Sequence, residues 1–475
     1  MTKKILAKKI FQLNDLKWFA EQSGDYNPIH INESLSRRYI SGGIIVPGMY
    51  ILLWSLNKIV EKYNKNLKYI NAKFHHFAIL ESNLELYYEL DNNTCVLSVK
   101  SGLKSIATFS IIFSDSIIIN KSEKKKPPNS VIKNYSFKEL RGLSGNFKTY
   151  LSNDCINRYS ALKINKMENI IAILMSFSRL VGMKVPGLNS LFIGLEINLD
   201  NSYKNKTIKW NISRHTNINS LIFIDVKGNG CKGHISTMYR PEPVNQMAIK
   251  EIYTKYQNKY FSKQVALIIG GSRGLGEHTA KLLGANGSEV IITYNKGIKD
   301  ALRVKKEIEN YNSKVHCIKM NILEPSVALK KINLLKLNIT HVYYFASPKI
   351  HESRQKVIDD DLLNSYNLVY VKSFEKIIEE MFSIFAFDFK VFYPSSVFIN
   401  HNSKLYKEYT KAKLYAEKTI KKLLIKYKKN FIYDVRLPRL RTDQNPNLSN
   451  EEQNLNIEIF VKELLRFSHL NVKKL

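Results

Sequence analysis

The sequence predicts an α+β fold in its N-terminal half and an α/β fold, a doubly wound parallel sheet, in its C-terminal part. Two strongly apolar stretches, 48–63 and 170–183, are each followed by strand-like runs. A helix that is apolar nearly all round must be enclosed by other elements. From residue 263 onward, strand and helix patterns alternate instead, which is typical of a parallel sheet. Two polar, proline-containing stretches, 121–130 and 240–246, separate three segments.

The first two segments share one order of elements. The helix GMYILLWSLNKIVEKY (48–63) precedes four strand-like runs that end with SIATFSIIF (105–113). The helix IIAILMSFSRLVGM (170–183) also precedes four such runs. One buried helix wrapped by an antiparallel sheet is the hot dog architecture. We therefore predict a double hot dog, with a first domain over residues 1–122 and a second, degenerate domain over residues 130–245. The alternative for the second is an unrelated α+β insertion.

The third predicted domain covers residues 260–475. Its six candidate strands run from VALIIGG, through EVIITY, KVHCIKM, HVYYFAS and KVFYPSS, to FIYDVRLP. Strands that alternate with helices in this way predict a Rossmann-type doubly wound sheet.

Composition narrows the classes of function. The chain has 475 residues, 44% of them hydrophobic, and neither its start nor its apolar stretches read as a signal peptide or a membrane span. The four cysteines are scattered without a CxxC pair, so we expect free thiols, a cytoplasmic location and no membrane association. No metal site is predicted.

The formal charge of +32 allows two interpretations. Lysine is spread along the whole chain and asparagine and isoleucine are abundant, which resembles the bias of an AT-rich genome. The functional alternative is attraction of acidic, phosphate-bearing substrates such as acyl carrier protein or coenzyme A thioesters. No nucleic-acid-binding signature accompanies the charge, so we expect no nucleic-acid partner.

The segment FAEQSGDYNPIH (19–30) places Asp25 and His30 five positions apart across an Asn-Pro turn. Removing water from a 3-hydroxyacyl thioester needs a base for the C2 proton and an acid for the departing hydroxyl. An Asp and a His held on one turn can fill both roles.

This turn, together with Gly48-Met49 at the start of the first apolar helix, resembles the MaoC-like family of (R)-specific enoyl-CoA hydratases and dehydratases. The resemblance implies that His30 handles the C2 proton, that Asp25 handles the hydroxyl or water, and that Asn27 orients them. A backbone N–H near Gly48, at a helix N-terminus, can stabilise the enolate oxygen. The family commonly has His before the Gly-Met, where this chain has Pro47.

A glycine-rich turn, IIGGSRGLG (268–276), follows a strand and opens a helix, the context in which such a motif indicates dinucleotide binding. Its glycines allow a pyrophosphate to approach the helix N-terminus. The second strand ends in TYNK rather than in an Asp. A carboxylate there would repel a 2′-phosphate, so its absence, with Arg273 and Lys296 nearby, favours NADP(H) over NAD(H).

Tyr409 and Lys413 lie four positions apart, hence on one helix face, and Ser396 ends a strand thirteen residues before Tyr409. A neighbouring ammonium is expected to lower the pKa of Tyr409. With the glycine turn, this pattern resembles the short-chain dehydrogenase/reductase family, which implies catalytic roles for Ser396, Tyr409 and Lys413. The cofactor-binding residues implied are Gly270, Ser272, Arg273, Gly274, Leu275, Gly276, Asn295, Lys296, Asn321, Ala346, Tyr409 and Lys413.

Three positions depart from the reductase family. Phe345-Ala346-Ser347-Pro348 replaces the usual Asn-Asn-Ala-Gly, Asn321 replaces an Asp, and no Asn stands near Tyr370 and Val371 to complete a proton relay. A specialised reductase fits these changes, and so does a domain that binds the cofactor without turnover.

The two signatures suit consecutive steps on one thioester. We predict a bifunctional enzyme that reduces a 3-oxoacyl thioester with NADPH and then removes water to give a trans-2-enoyl thioester, in fatty-acid or polyketide-type biosynthesis. The alternative is the reverse direction, hydration followed by 3-hydroxyacyl oxidation in degradation. The substrate carrier would be acyl carrier protein or coenzyme A, and the reductase resemblance implies a homo-oligomer.

Overall fold

The chain forms two compact units, Met1–Glu242 and Pro243–Leu475. The computed structural model describes residues 4–114, 124–199, 207–217, 220–240, 242–311, 313–350, 353, 357–385, 388–400, 405–428, 431–443 and 450–469. Parts of the two predicted linkers, residues 121–123 and 241, lie outside the described residues. The division into three domains stays a prediction, and the first two of them lie in one unit.

The first unit is built on one ten-stranded antiparallel sheet with the order β1-β3-β4-β5-β2-β7-β10-β9-β8-β6. Its strands are β1 (Lys4–Ile10), β2 (Asn66–Phe74), β3 (Asn83–Asp91), β4 (Thr94–Ser101), β5 (Lys104–Ser114), β6 (Ser144–Lys148), β7 (Ser190–Leu199), β8 (Thr207–Thr216), β9 (Leu221–Gly228) and β10 (Cys231–Tyr239).

The two halves of this sheet have the same internal order. From the outer edge to the middle, one half reads β1-β3-β4-β5-β2 and the other reads β6-β8-β9-β10-β7. The halves join where β2 and β7 pair antiparallel, from Tyr69 opposite Asn198 to Lys73 opposite Gly194. The sequence predicted the strands of both halves except β1 and β6, the two edges.

Two apolar helices lie in a core that is continuous across both halves. The helices of this unit are α1 (Leu13–Ser23), α2 (Pro28–Ile31), α3 (Glu33–Ser36), α4 (Gly48–Tyr63), α5 (Asn153–Arg158), α6 (Ser160–Ile164) and α7 (Glu168–Arg179). The structure confirms the predicted bounds of α4. Helix α7 is buried from Asn169 to Arg179 and passes into a π-helical turn, Leu180–Lys184. The burial of both helices follows from their nearly continuous apolar surface.

The second unit contains a six-stranded parallel sheet with the order β13-β12-β11-β14-β15-β16. Its strands are β11 (Val265–Ile269), β12 (Glu289–Tyr294), β13 (Val315–Lys319), β14 (His341–Tyr344), β15 (Lys390–Ser396) and β16 (Ile432–Leu437). This is the doubly wound order, and it confirms the prediction of a Rossmann-type sheet.

Helices cover both faces of the parallel sheet and form one apolar core with each. They are α8 (Ile249–Lys255), α9 (Gly274–Ala285), α10 (Ile298–Glu309), α11 (Ser326–Asn333), α12 (Asp360–Asn367), α13 (Ser373–Ile384), α14 (Lys407–Tyr427) and α15 (Asn450–His469). A π-helical turn, Leu368–Lys372, joins α12 to α13. Among the described residues of the whole chain, none of the helices has the length and apolarity that crossing a membrane requires.

Candidate active sites

The Asp25–His30 turn connects α1 to α2. Helix α1 ends at Gly24 in the left-handed conformation (φ 73°), which a glycine adopts without strain. Asn27 then caps α2, because its side chain accepts a hydrogen bond from the N–H of Ile29, and Pro28 occupies the first helical position. These local signals turn the chain sharply and place Asp25 and His30 on one wall of a cavity.

Asp25 is held by groups from both halves of the first unit. Ser178 on α7 donates its hydroxyl to Oδ2 at 2.7 Å, and the N–H of Asn27 donates to Oδ1 at 3.2 Å. The carboxylate lies directly against Gly182, where an added Cβ would come within 2.1 Å of Oδ1. Only a glycine at position 182 therefore leaves room for the carboxylate in this position.

The Asn27 side chain attaches the turn to the segment after α7. Its Nδ2 donates to the carbonyl oxygens of Gly182, Gly187 and Leu188 at 3.0, 3.2 and 3.3 Å. Its Oδ1 accepts from Ile29. Asn27 thus uses both ends of its amide to fix the turn.

His30 has a defined tautomer. Its Nδ1 lies 2.9 Å from the carbonyl oxygen of Ile45, which can only accept a hydrogen bond, so Nδ1 carries the proton when the ring is neutral. The lone pair is then on Nε2. A neutral imidazole in this state has one nitrogen free to accept a proton.

Burial shifts the two pKa values in opposite directions. It raises the pKa of Asp25, opposed by the charge of His30 and by hydrogen bonds from Ser178 and Asn27. It lowers the pKa of His30, opposed by the charge of Asp25 and the Ile45 carbonyl, while the charge of Arg240 lowers it further. Both shifts are toward the uncharged forms, the direction that suits a carboxyl acting as an acid and an imidazole acting as a base.

The cavity beside this pair has a volume of about 70 Å³ and is mostly apolar. Gly48 opens α4 at its edge, and an added Cβ there would come within 2.9 Å of the Phe74 ring. The N–H of Gly48, in the first turn of α4, has no partner within the helix. Pro47 also lines the cavity, and its carbonyl accepts from Tyr50 and Ile51. The remaining lining residues are Ile29, Ile45, Val46, Met49, Ile51, His76, Phe77, Ala78, Val181, Ser190, Leu191 and Phe192.

The sequence interpretation gave no site residue to the second half, yet that half supplies Ser178, Gly182 and the carbonyls that hold Asn27. One signal was available. Polar residues that interrupt an otherwise apolar, enclosed helix need partners, and Ser178 and Arg179 interrupt α7 in this way. The sequence does not indicate that Asp25 is the partner of Ser178, because the two residues lie more than 150 positions apart.

The second candidate site begins at the glycine turn between β11 and α9. Gly270 and Gly274 have positive φ, 84° and 59°. At Gly276 an added Cβ would come within 2.2 Å of the Gly270 carbonyl oxygen, so the turn closes tightly on the first turn of α9. Ser272 is buried in the turn, Arg273 is the N-cap of α9, and Leu275 follows in its first turn.

The other predicted cofactor residues of the sheet follow neighbouring strands at the same edge. Asn295 and Lys296 are exposed after β12. Asn321 is exposed after β13, where its side chain accepts from the N–H of Leu323. Ala346 follows β14 and lies against the glycine turn, since its N is 2.9 Å from an added Cβ at Gly270. The carboxyl ends of β11, β12, β13 and β14 therefore bring these residues to one edge.

Ser396 and Tyr409 meet at the end of β15. Tyr409 lies in the first turn of α14 and is 9% exposed. Burial raises the pKa of Tyr409 to about 12, and a hydrogen bond with Ser396 opposes the rise. The adjacent Ser395 is used elsewhere, because its hydroxyl donates to Glu417 at 2.6 Å.

Lys413 lies below Tyr409 among aromatic rings. Its Nζ donates to the Pro394 carbonyl at 2.7 Å and lies 4.1 Å from the ring centroid of Tyr370 and 4.8 Å from that of Tyr393. Burial lowers the pKa of Lys413 to about 7. The pKa of Tyr409 is raised rather than lowered because burial dominates, and the Lys413 ammonium is directed to a carbonyl and to ring faces, with the Tyr409 ring centroid 5.9 Å away.

The sequence has no Asn near Tyr370 that could complete a proton relay. In the structure, this position lies in the π-helical turn before α13. Its residue Tyr370 is buried, and its hydroxyl lies 2.6 Å from that of Ser347. The carbonyl of Tyr370 accepts from the hydroxyl of Tyr393 at 3.0 Å. The hydroxyls of Tyr344 and Tyr393, two residues of the sheet, therefore donate to backbone carbonyls of this turn.

Comparison with known families agrees with this arrangement. A model of the MaoC like domain matches residues 6–104, and a model of the short chain dehydrogenase matches residues 264–339. The chain joins a MaoC-like domain to a short-chain dehydrogenase domain. This confirms the combination predicted from the sequence.

Among solved structures, several proteins are similar to slightly less than half of the chain. A short chain dehydrogenase from Burkholderia cenocepacia J2315 in complex with NADP is 19% identical, with 45% of this chain and 95% of that chain covered and a TM-score of 0.38. An oxidoreductase from E. coli is 15% identical, with 44% and 92% covered and a TM-score of 0.39. The FolM alternative dihydrofolate reductase 1 from Brucella canis, complexed with NADP, is 13% identical, with 45% and 90% covered and a TM-score of 0.38.

Proposed function

We propose that the protein is a bifunctional acyl-thioester enzyme that reduces a 3-oxoacyl thioester with NADPH and dehydrates the 3-hydroxyacyl product to a trans-2-enoyl thioester. The observation that carries the proposal is that buried Asp25 and partly buried His30 line one cavity, with pKa values shifted toward the uncharged carboxyl and imidazole.

In the dehydration step, His30 accepts the C2 proton at Nε2, since Nδ1 is occupied by the Ile45 carbonyl. The protonated Asp25 gives its proton to the departing hydroxyl, which leaves as water. The N–H of Gly48 stabilises the negative charge that develops on the thioester oxygen. Ser178 and Asn27 keep the carboxyl in place while its charge changes.

We also propose that the first unit is a double hot dog. The identical strand order of its two halves and the apolar helix that belongs to each support this. The second half then has a role in the reaction without a copy of the motif, because its helix and the following segment hold Asp25 and Asn27.

For the reduction step, the glycine turn fits a dinucleotide, since a side chain at Gly276 would close the space against the Gly270 carbonyl. Gly270, Ser272, Gly274 and Gly276 would hold the pyrophosphate, and Arg273 and Lys296 the 2′-phosphate that distinguishes NADP(H). The cofactor supplies the hydride when it is bound. Tyr409 protonates the carbonyl oxygen of the substrate, Ser396 donates a hydrogen bond to that oxygen, and Lys413 assists Tyr409.

A second candidate function is a dehydratase fused to a domain that binds a nucleotide without turnover. The contacts of Lys413 favour it, because its ammonium is bonded to the Pro394 carbonyl and Tyr409 has a raised pKa.

The degradative direction, hydration followed by oxidation, is the other alternative, and a clear preference for NAD⁺ would support it. We also propose acyl carrier protein or coenzyme A as the carrier, a cytoplasmic location and a homo-oligomeric state.

Two variants of the full chain test the two proposed activities separately. Asp25→Asn is expected to reduce hydration of crotonyl-CoA by roughly 10²–10⁴-fold while NADPH-dependent reduction of acetoacetyl-CoA persists, because an essential proton-transfer group contributes about that much. Tyr409→Phe is expected to reduce only the second activity, with NADPH binding retained. If Tyr409→Phe leaves reduction unchanged, its catalytic role is wrong. If the wild type binds NADPH and does not reduce the ketone, the non-catalytic alternative is correct.

A further inference from the structure

Arg240 is a fully buried guanidinium that the proposed mechanism does not use. It follows the last strand of the first unit, β10, and its relative exposure is 0%. Its Nε and Nη1 groups are buried and have no hydrogen-bond partner among the described residues. Burial lowers the pKa of Arg240, and Tyr39, Tyr239 and Glu242 oppose this only in part, so the buried cation is unfavourable by itself.

One contact of Arg240 leads directly to the Asp25–His30 turn. Its Nη2 donates to the carbonyl oxygen of Leu188, and the same oxygen accepts from the Asn27 side chain at 3.3 Å. The N–H of Arg240 also donates to the Asn189 carbonyl at 2.8 Å. The end of β10 therefore fixes the backbone segment against which Asn27 is oriented.

A second contact brings the charge close to His30. The guanidinium lies over the Tyr39 ring, 3.5 Å from its centroid. Tyr39 packs in a small buried cluster with Ile29 and Ile45, the residue before His30 and the residue whose carbonyl binds it. Charges separated by a few side chains in a buried environment are weakly screened.

The charged groups that act on His30 come from two sides. Asp25 on the same turn favours the imidazolium, and Arg240 at the end of β10 opposes it. A further titratable residue, His76, lines the same cavity. Burial has the largest influence on the pKa of His30 and acts in the same direction as Arg240, toward the neutral ring that a base requires.

We propose that Arg240 is a positioning residue of the dehydratase site, which fixes the Leu188 carbonyl against Asn27 and whose charge, together with burial, disfavours protonation of His30. The inference rests on the proposed dehydratase function. It adds that the second half of the unit supplies a positive charge that opposes protonation of the base.

Three substitutions in the full-length protein separate the two effects. Arg240→Met removes the charge and the hydrogen bond to Leu188, Arg240→Gln removes the charge and keeps a donor, and Arg240→Lys keeps the charge. We expect the pKa of His30 to rise by roughly one pH unit in the Met and Gln variants, the effect of one nearby charge, and to stay near the wild-type value in the Lys variant. NMR titration of histidine-labelled protein, with the His30 signal assigned from His30→Asn, measures this without turnover.

The rate of crotonyl-CoA hydration should follow the same pattern. The acid limb of its pH profile, which reports protonation of His30, should move to higher pH in the Met and Gln variants, with a larger loss of kcat in Met than in Gln. The inference is overturned if a folded Met or Gln variant keeps the wild-type His30 pKa, or if the Lys variant shifts it as much as they do. If the wild type does not hydrate crotonyl-CoA, the proposed function fails, and the NMR comparison still decides whether Arg240 sets the charge of His30.

Discussion

The two candidate sites are assembled in different ways. The Asp25–His30 site draws on both halves of one antiparallel sheet, and Asp25 and Asn27 have partners more than 150 positions away. The Ser396–Tyr409–Lys413 site lies at the carboxyl edge of one parallel sheet, and its groups come from consecutive elements, β15 and α14. The first depends on long-range contacts, and the second on the regular order of its sheet.

Burial acts on both sites, with different chemical results. In the first site it moves the carboxyl and the imidazole toward the charge states that their roles require. In the second it raises the pKa of Tyr409 to about 12 and lowers that of Lys413 to about 7. Motif spacing therefore decides which residues meet, whereas burial and the surrounding hydrogen-bond partners decide whether these residues are in a reactive state.

The largest effect is expected from Gly182→Ala, which tests whether the second half holds Asp25. The new Cβ would overlap Oδ1, so the carboxylate must move, and a displacement of about 1 Å can reduce the rate roughly 10²-fold. Hydration of crotonyl-CoA should fall accordingly, while NADPH reduction is unchanged. Gly43→Ala is the matched control, since a Cβ there meets no atom within 4 Å. Equal activity of the two variants would contradict the assigned position of Asp25.

A smaller effect distinguishes the neighbouring serines of the reductase site. Ser396→Ala removes the hydrogen bond to Tyr409, and the loss of one such bond, about 1–1.5 kcal/mol, corresponds to roughly a tenfold lower rate of acetoacetyl-CoA reduction. Ser395→Ala removes a bond to Glu417 instead and should leave that rate nearly unchanged. A larger loss in the Ser395 variant would reverse the assignment of the two serines.

The last prediction concerns stability, not activity, and tests the environment of Lys413. Its pKa in the folded protein is about 7, below the ordinary value of 10.5, so the unfolded chain binds this proton more tightly between those pH values. The free energy of unfolding therefore decreases as the pH falls from about 10 toward 7. Below pH 7, Lys413 causes no further decrease, because it is protonated in both the folded and the unfolded chain.

Lys413→Met removes this dependence. The difference in Tm, variant minus wild type, should be largest at pH 7 and below. It should become smaller as the pH rises toward 10. Thermal unfolding of the full chain, with Lys422→Met as a control on an exposed position of α14, measures it. A difference that is constant with pH would mean that Lys413 is charged in the folded protein throughout.

Sequence patterns predicted the elements that bury much apolar surface. The bounds of α4, β9, β12 and β15 agree with the structure, because their apolar runs are continuous and have clear ends. The edge strands β1 and β6 were missed. Only Phe147 is buried in β6, and β1 has no fully buried residue, so their main stabilisation is hydrogen bonding to a strand far along the chain.

By itself, the sequence determined the two families, the residues of each motif and the alternation of strands and helices in the parallel sheet, because short-range spacing and hydrophobic periodicity encode them. Only the tertiary structure decided that Ser178, Gly182 and Leu188 surround the Asp25–His30 turn, that Arg240 lies behind them, and that Lys413 is bonded to the Pro394 carbonyl. These contacts join residues that are distant along the chain or depend on side-chain direction, and the pKa values that set reactivity depend on such contacts and on burial.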